Sequence, residues 1–341
     1  MNRLDTKITL SGQVFTFCTE LNIDSSYDNL TDTAEIVIPK KIRYVKNDGA
    51  PVDSIVRGAN PLFNIGGAAK IEVGYDSLLK TFFQGYISAI RQTFPLRFKL
   101  EDEVYLLKRS SLSLSLDNPQ LSYLLTKVIP SGVKYEVTAE QNLGNFRVNN
   151  SSPAAILDEL RKKHGIYSFF RSGVLYVGLS VVSKLQTVHR FKFQTPTLIS
   201  GDNLTYIDSL ERKIKVICKS IDSNNNTLEA TAGDESGEVR TLYFNNYTLS
   251  DLQTTADRLK DELKYSGYEG FFTIFASQNV KHGDVVELIN DQIPEQSGGY
   301  LTPRVVSSAG WGIGGRQSVY VKQKIYDLVS DGKGGYVQKT I

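Results

Sequence analysis

The chain is poor in the residues from which most reactive sites are built. Its 341 residues include two cysteines, three histidines, one methionine and one tryptophan. Cys18 and Cys218 are too few for the disulfide framework of a small secreted domain. Each lies in a strand-like run, VFTFCTEL and IKVICKSI, and reads as a buried thiol. His164, His189 and His282 stand at unrelated spacings, outside any HExxH or Cys/His zinc pattern. No run approaches ~18 consecutive apolar residues, so no membrane-spanning helix is expected. The opening MNRLDTKITL lacks the apolar core of a signal peptide. Net charge is only +2, too balanced for a protein that relies on long-range attraction to nucleic acid or acidic membrane.

Most of what is present alternates with a period of two. KITLSGQVFTF reads as a hairpin, with Ile8 and Leu10 before a Ser11-Gly12 turn and Phe15 and Phe17 after it. TAEIVIP, AKIEVGY, KTFFQGYISAIRQTF and LRFKLEDEV follow as strands, the third bending at Gly85. Between Lys40 and Ala69 no period survives, and six Gly and Pro residues punctuate a long loop suited to contact with a partner.

The middle third changes character. DNPQLSYLLTKVIPSG predicts a helix capped by Asp117 or Asn118 and started by Pro119, with Leu121, Leu124, Leu125 and Val128 as its apolar stripe. SSPAAILDELRKKHGIYSFFRSGVLYVG predicts a second helix followed by a hairpin. Ser151 or Ser152 caps it, Pro153 fits its first turn, and Ile156, Leu157, Leu160 and His164 share one face. Its basic turn, Arg161 to His164, suits the negative end of the helix dipole, and Gly165 stops it. Beyond residue 181 β character returns: a hairpin IKVICKSIDSNNNTLEATA, the run EVRTLYFNNY, and four strand runs after residue 269. Between them SDLQTTADRLKDELKYSG predicts a helix with a Ser250–Gln253 capping box, a stripe of Leu252, Ala256, Leu259 and Leu263, and Gly267 as its stop. The last residues, SDGKGGYVQKTI, read as a flexible or strand-adding tail.

The chain holds two near-misses for known chemistry. Gly310, Gly312 and Gly315 match GxGxxG, but the strand-like RQSVYVKQKI follows where a dinucleotide site needs a helix. Asp222, Asn224 and Asn226 resemble the start of a calcium loop, which Thr227 and Gly233 break at its sixth and twelfth positions. Both read as hairpin turns. The basic run PKKIRYVK carries Lys40, Lys41, Arg43 and Lys46 without a recognisable nucleic-acid motif. Carboxylates cluster at Asp28/Asp32 and Glu101/Asp102/Glu103; a hydrolase would need two of them facing across a cleft.

The ordered series LNIDSSYDNLTDTAEIVIPKK, TFFQGYISAI, SPAAILDELRKKHGIYSFFRSGVLYVG, NVKHGDVVELI and PEQSGGYLTPRVVSSAGWGIGGRQSVYVKQKI covers most of the chain. It resembles the baseplate hub proteins of contractile-tailed phages and related contractile injection systems, the family of Mu-like hubs and late control protein D. The resemblance implies a mainly β chain, α+β overall: two tube-like β-barrel domains with a small α+β insertion. The first barrel would span 1–105, completed by strands after 180; the insertion 106–180; the second barrel 181–341, with one helix at about 250–266.

The resemblance also implies a homotrimer whose six barrels form a quasi-sixfold ring. One face would stack on the hexameric tail tube protein and the other would receive a threefold central spike protein. This reconciles two rotational orders at one interface. Other baseplate proteins would contact the rim, and DNA or effector would pass through the lumen without specific recognition. The implied location is the virion tail baseplate, assembled in the bacterial host cytoplasm. No catalytic, cofactor-binding or metal-ligating residue is expected, and no cofactor. The sequence shows neither a β-helical spike nor a cell-wall hydrolase domain, so a separate spike is implied. The alternatives are a tail-tip or distal-tail adaptor, a tail-associated cell-wall hydrolase and a carbohydrate-binding module.

Overall fold

In the computed structural model the described residues are 4–39, 41–45, 51–55, 63–91, 95–195, 198–221, 226–245, 247–310, 314–332 and 335–340. The alternation at the N-terminus forms the expected hairpin: Leu4–Leu10 pairs with Gln13–Phe15 about the Ser11-Gly12 turn, burying Ile8, Leu10 and Phe15. Phe17 falls beyond the strand and is exposed, and Cys18 lies buried in the connection rather than in a strand.

From this hairpin a ladder of 13 strands runs through the molecule. Its order is Leu198–Ile207, Gly267–Phe275, Gly314–Tyr320, Arg304–Gly310, Glu20–Ser26, Thr33–Ile38, Leu96–Glu101, Leu78–Arg91, Ala68–Tyr75, Leu4–Leu10, Gln13–Phe15, Lys41–Val45 and Pro51–Ile55. The early and late parts of the chain meet where Glu20–Ser26 pairs with Arg304–Gly310. The stretch expected to be a loop between Lys40 and Ala69 contains the last two of these strands, an antiparallel pair at one end of the ladder.

The sheet is folded round on itself. Phe63 has its ring 5.8 Å from Phe15 and 4.9 Å from Phe98. Those two residues stand on strands four places apart, which in a flat sheet would separate them by about 19 Å. One core therefore takes side chains from eight neighbouring strands, among them Ile8, Leu21, Ile36, Ile71, Ile87 and Phe98. The ladder does not close into a barrel by hydrogen bonds among the described residues; it ends at Leu198–Ile207 and Pro51–Ile55.

A second β core lies between the other end of the ladder and a five-stranded sheet of Val188–Lys192, Val285–Ile289, Gly298–Leu301, Lys324–Ser330 and Tyr336–Thr340. Phe191, Val286, Leu288 and Tyr300 from that sheet meet Phe272, Ile274, Val305 and Val319 from the ladder. The tail residues Tyr336–Thr340 add the outermost strand. The last four strand runs of the sequence resolve into six strands, because GYLTPRVVSSA and RQSVYVKQKIYDLV each break in two.

Two helix-bearing appendages carry their own cores. The first contains α1 (Val104–Leu107), α2 (Leu121–Val128) and α3 (Pro153–His164), packed with a three-stranded sheet of Lys134–Val137, Val174–Gly178 and Tyr167–Arg171. α2 buries the expected stripe but begins at Leu121 after Gln120, without a side-chain cap. α3 follows the sequence closely. Ser152 accepts a hydrogen bond from the Ala155 N–H at 3.2 Å, Pro153 sits in the first turn, and Ile156, Leu157 and Leu160 are fully buried. Burial of each such side chain is worth ~1.5–3 kcal/mol.

The second appendage leaves the ladder between Leu198–Ile207 and Gly267–Phe275, two strands that pair directly. It is a sheet of Thr227–Gly233, Ile214–Ile221 and Glu238–Asn245, with α4 (Leu249–Leu263) against one face. Val216, Cys218, Phe244, Leu252 and Ala256 form its core. The sequence reading placed this helix in the second barrel, whereas the structure gives it a sheet of its own. Thr248 and Asp251 make its capping box, instead of Ser250 and Gln253, and the helix ends at Lys264, so that Gly267 is free to start the next strand.

Candidate functional site

Buried polar groups converge on a cleft of about 340 Å³ where the first β core, the first appendage and the late strands meet. Asp32, from the turn after Glu20–Ser26, accepts hydrogen bonds from Ser25 Oγ at 2.5 Å and the Ser26 N–H at 3.0 Å. Asp102 closes the strand Leu96–Glu101. Its N–H donates to the Asp32 carbonyl, and its carboxylate accepts from the Val104 N–H at 3.1 Å, starting α1. Gly85 makes that placement possible: a Cβ there would lie 2.1 Å from the Glu101 carbonyl oxygen and 2.7 Å from the Asp102 Cα. Gly85 thus marks a close backbone approach.

His282 and Arg171 complete the cleft. The Arg171 guanidinium donates to the His282 carbonyl at 2.6 Å and lies 3.5 Å from the ring Nε2. The buried imidazole packs edge-on against Phe169, with ring centres 5.2 Å apart, and near Tyr27. Nε2 is 3.9 Å from Asp32, and Nδ1 has no protein partner among the described residues. Burial, aided by the charges of Arg171 and Lys281, holds the pKa of His282 well below its ordinary value, so the ring is neutral at pH 7. Burial raises the pKa of Asp32 to about 6 and pushes that of Asp102 well up, the Asp32 charge adding to the rise.

The acidic residues singled out in the sequence thus divide. Asp32 and Asp102 come together, with Glu103 lining the same cleft. Asp28 is exposed, and Glu101 pairs with Lys108 at 2.6 Å. The two gathered carboxylates accept from donors of their own turns, which is how short acidic side chains fix loop geometry. The glycine near-miss is a hairpin: Gly310 pairs with Gly314 between two antiparallel strands, and a strand follows it. Ile221 pairs with Thr227 across the supposed calcium loop, whose Asp222 and Asn224 lie outside the described residues. Among the described residues, no three His, Cys, Asp or Glu side chains are grouped to hold a metal ion, and no helix is long and apolar enough to cross a membrane. Both cysteines are free and buried.

A second polar joint connects the appendages. Arg258 of α4 donates to the carbonyls of His164 at 2.7 Å and Gly165 at 3.0 Å, capping the C-terminus of α3 from outside. Gly165 has φ +62°, and a Cβ there would meet the Arg258 guanidinium at 2.7 Å. His164 Nδ1 lies 2.8 Å from Tyr247 Oη, which also accepts from Gln141 at 3.1 Å. Tyr167 donates to Glu262. The basic turn of α3 is held within the helix itself, Lys162 to Asp158 and Lys163 to Glu159, both at 2.5 Å. His164 was legible as a residue on the apolar face. Its partner, 83 residues later, was not.

No protein-family model matches the sequence, and no curated protein matches it. Solved structures do resemble the fold. A tail protein from Neisseria meningitidis MC58 superposes with a TM-score of 0.65 at 15% identity, over 94% of this chain and 96% of that one. A 43 kDa tail protein of prophage MuSo2 from Shewanella oneidensis gives 0.58 at 14% identity, over 94% and 98%. An E. coli component of the type VI secretion system, itself described as structurally similar to the T4 tail proteins gp27 and gp5, gives 0.56 at 11% identity, over 95% and 76%. The chain therefore has the fold of these tail proteins.

Proposed function

We propose that the chain is a structural subunit of a contractile-type tail or injection device, serving as the hub of its baseplate. The observation that carries this reading is the end-to-end likeness to the two tail proteins from Neisseria and prophage MuSo2, which covers nearly the whole of both partners and so includes the β cores and the appendages alike. In this reading three chains form a ring. Two β cores per chain present six similar units to a hexameric tail tube, and the opposite face takes a threefold spike. The ends of the ladder among the described residues, Leu198–Ile207 and Pro51–Ile55, would supply backbone donors and acceptors of the kind that strands of neighbouring subunits satisfy. The lumen passes DNA or effector without reading it, and the chain works as an assembly protein in the virion tail, not as an enzyme.

The test is the native mass of the purified protein over a concentration range, with electron-microscope class averages of the same sample. Three times the 38.0 kDa chain, with an open centre and a sixfold-like outline, is the expected result. A ring of another order would assign the chain to a tail-tip or distal-tail adaptor. A monomer that also fails to assemble when the tail tube protein and spike are added would overturn the hub.

A further inference from the structure

Beside the cleft, and sharing Arg171, Ser172, Asn279 and Lys281 with it, lies a second cavity of about 520 Å³. Lysine and arginine side chains from four separate stretches of chain converge on it: Lys80, Arg171, Lys184 and Lys281. One carboxylate, Asp284, faces them. That carboxylate is already engaged. It accepts from the N–H groups of Thr187 at 3.1 Å and Lys281 at 2.9 Å, and lies 3.1 Å from His189 Nε2. Lys184 is neutralised by Glu136 at 2.6 Å.

The remaining cations are not matched. Among the described residues Lys80 meets only the Ser277 carbonyl, at 2.9 Å. Arg171 donates to the His282 carbonyl; Asp32 and Asp284 attract it through space, but neither forms an ion pair with it among the described residues. The ammonium of Lys281 has no partner among the described residues, although the side chain is partly buried. Burial, with the repulsion of Arg171, lowers the affinity of Lys281 for its proton, and the attraction of Asp284 offsets only part of that. Burying a charge is costly unless it is paired, so a cavity with two under-compensated cations is built for a counter-ion from outside.

We propose that this cavity binds a phosphate-class oxyanion between Arg171 and Lys281, with Lys80 at its rim. Arg supplies a planar fork of donors and Lys a mobile point charge, the usual pair for a tetrahedral oxyanion. The ligating residues come from the first β core, the first appendage and the late strands, so the bound anion ties three parts of the molecule together. The inference does not depend on the tail reading.

The experiment compares thermal unfolding of the whole protein in inorganic phosphate and in chloride at matched ionic strength, with the ³¹P line width of phosphate as a direct readout. Wild type is expected to gain about 2 °C at ten times the dissociation constant and to broaden the phosphate line. Lys281→Gln is expected to lose both effects while matching or slightly exceeding wild-type stability in chloride, because it removes an unpaired cation. Arg171→Gln also removes the His282 contact and can fail to fold, so Lys80→Gln/Lys281→Gln serves as the second variant. A short thymidine oligonucleotide separates the sources. Binding that phosphate displaces assigns the site to a phosphodiester, and its absence alongside a phosphate response assigns it to free phosphate or a monoester. Equal phosphate gains in wild type and Lys281→Gln, the signature of a general salt effect, or an unbroadened line in wild type, would sink the proposal.

Discussion

The joint between the appendages and the cleft at Asp32 draw on the same few residue types, a histidine, an arginine, tyrosines and acids, yet one is more nearly complete than the other. Beside the joint between the appendages, Arg161 Nε is left without a hydrogen-bond partner among the described residues. In the first, His164, Tyr167, Tyr247, Arg258 and Glu262 each find a protein partner. In the second, His282 keeps an unpartnered Nδ1 and Lys281 an unpartnered ammonium among the described residues. A closed polar network fixes two pieces relative to each other. An open one carries an unmet electrostatic demand and waits for something to bind. The first joint therefore reads as a brace, and the second as a place where the state of the molecule depends on what surrounds it.

The substitution expected to break the brace most severely is Gly165→Val. It places a β-branched residue at φ +62° and drives its Cβ into the Arg258 guanidinium. Strain and lost caps together are expected to cost about 3–4 kcal/mol, seen as a drop in the denaturant midpoint. An unchanged midpoint would mean that the appendages do not depend on this contact.

Acid acts on His164 and Asp32 with opposite signs. Burial lowers the pKa of His164 to about 4 from an ordinary 6.5. The folded joint thus favours the neutral ring. The stability this brings is complete above pH 6.5 and is lost as pH falls toward 4, by up to about 3 kcal/mol. Asp32 behaves oppositely. Its raised pKa, about 6, means that the folded state holds the proton more tightly, so this group favours folding as pH falls from 6 toward 4. Asp102 adds to that trend, while the depressed pKa of His282 works against it below pH 6.5. Between pH 7 and 4.5, amides of α3 and α4 are expected to lose up to about 100-fold in hydrogen-exchange protection after correction for intrinsic rates, and those of Glu20–Ser26 distinctly less. Equal losses at both places would contradict the assignment.

Arg258→Ala removes the external cap while leaving Gly165 unstrained. The expected cost is about 2 kcal/mol, because the C-terminal carbonyls of α3 lose charge-assisted partners. Arg258→Lys is expected to recover part of it, since one ammonium can reach one carbonyl but cannot fork across two. Full recovery by lysine would show that charge alone, and not the fork, holds the appendages together.

These joints also explain which parts of the molecule were legible in its sequence. α3 was readable down to its cap and stop because Ser152, Pro153, the Ile156/Leu157/Leu160 stripe and Gly165 act within one helix. α4 was placed correctly but its cap was read two residues late, since Thr248 and Ser250 are both good caps and only the Asp251 contact chooses between them. The second appendage was missed as a unit. Its strands alternate just as those of the main ladder do, and nothing local says that Leu198–Ile207 will pair across it with Gly267–Phe275. The pairs Lys41–Val45 and Pro51–Ile55 were hidden among Gly and Pro residues. Asp32 and Asp102 were noticed as carboxylates, but their meeting depends on pairing between distant strands and on the close approach at Gly85, which no spacing encodes.

The smallest expected effects separate two meanings of the acidic residues. Were Asp28, Asp32 and Asp102 a catalytic set, alanine at any one of them would remove the same hydrolytic activity. The structure instead divides them. Asp28 is exposed, so Asp28→Ala is expected to change stability by no more than about 0.5 kcal/mol. Asp102→Ala takes an acceptor from the Val104 N–H at the start of α1, at a cost of about 1 kcal/mol, partly offset because a like charge is also removed from beside Asp32. Melting curves of the two variants measure this split. Cell-wall turnover assayed on the same samples is the independent check: activity in wild type that both variants lose would give the acids a shared catalytic role and the cleft a substrate, whereas unequal stability without turnover fits carboxylates that hold turns in place.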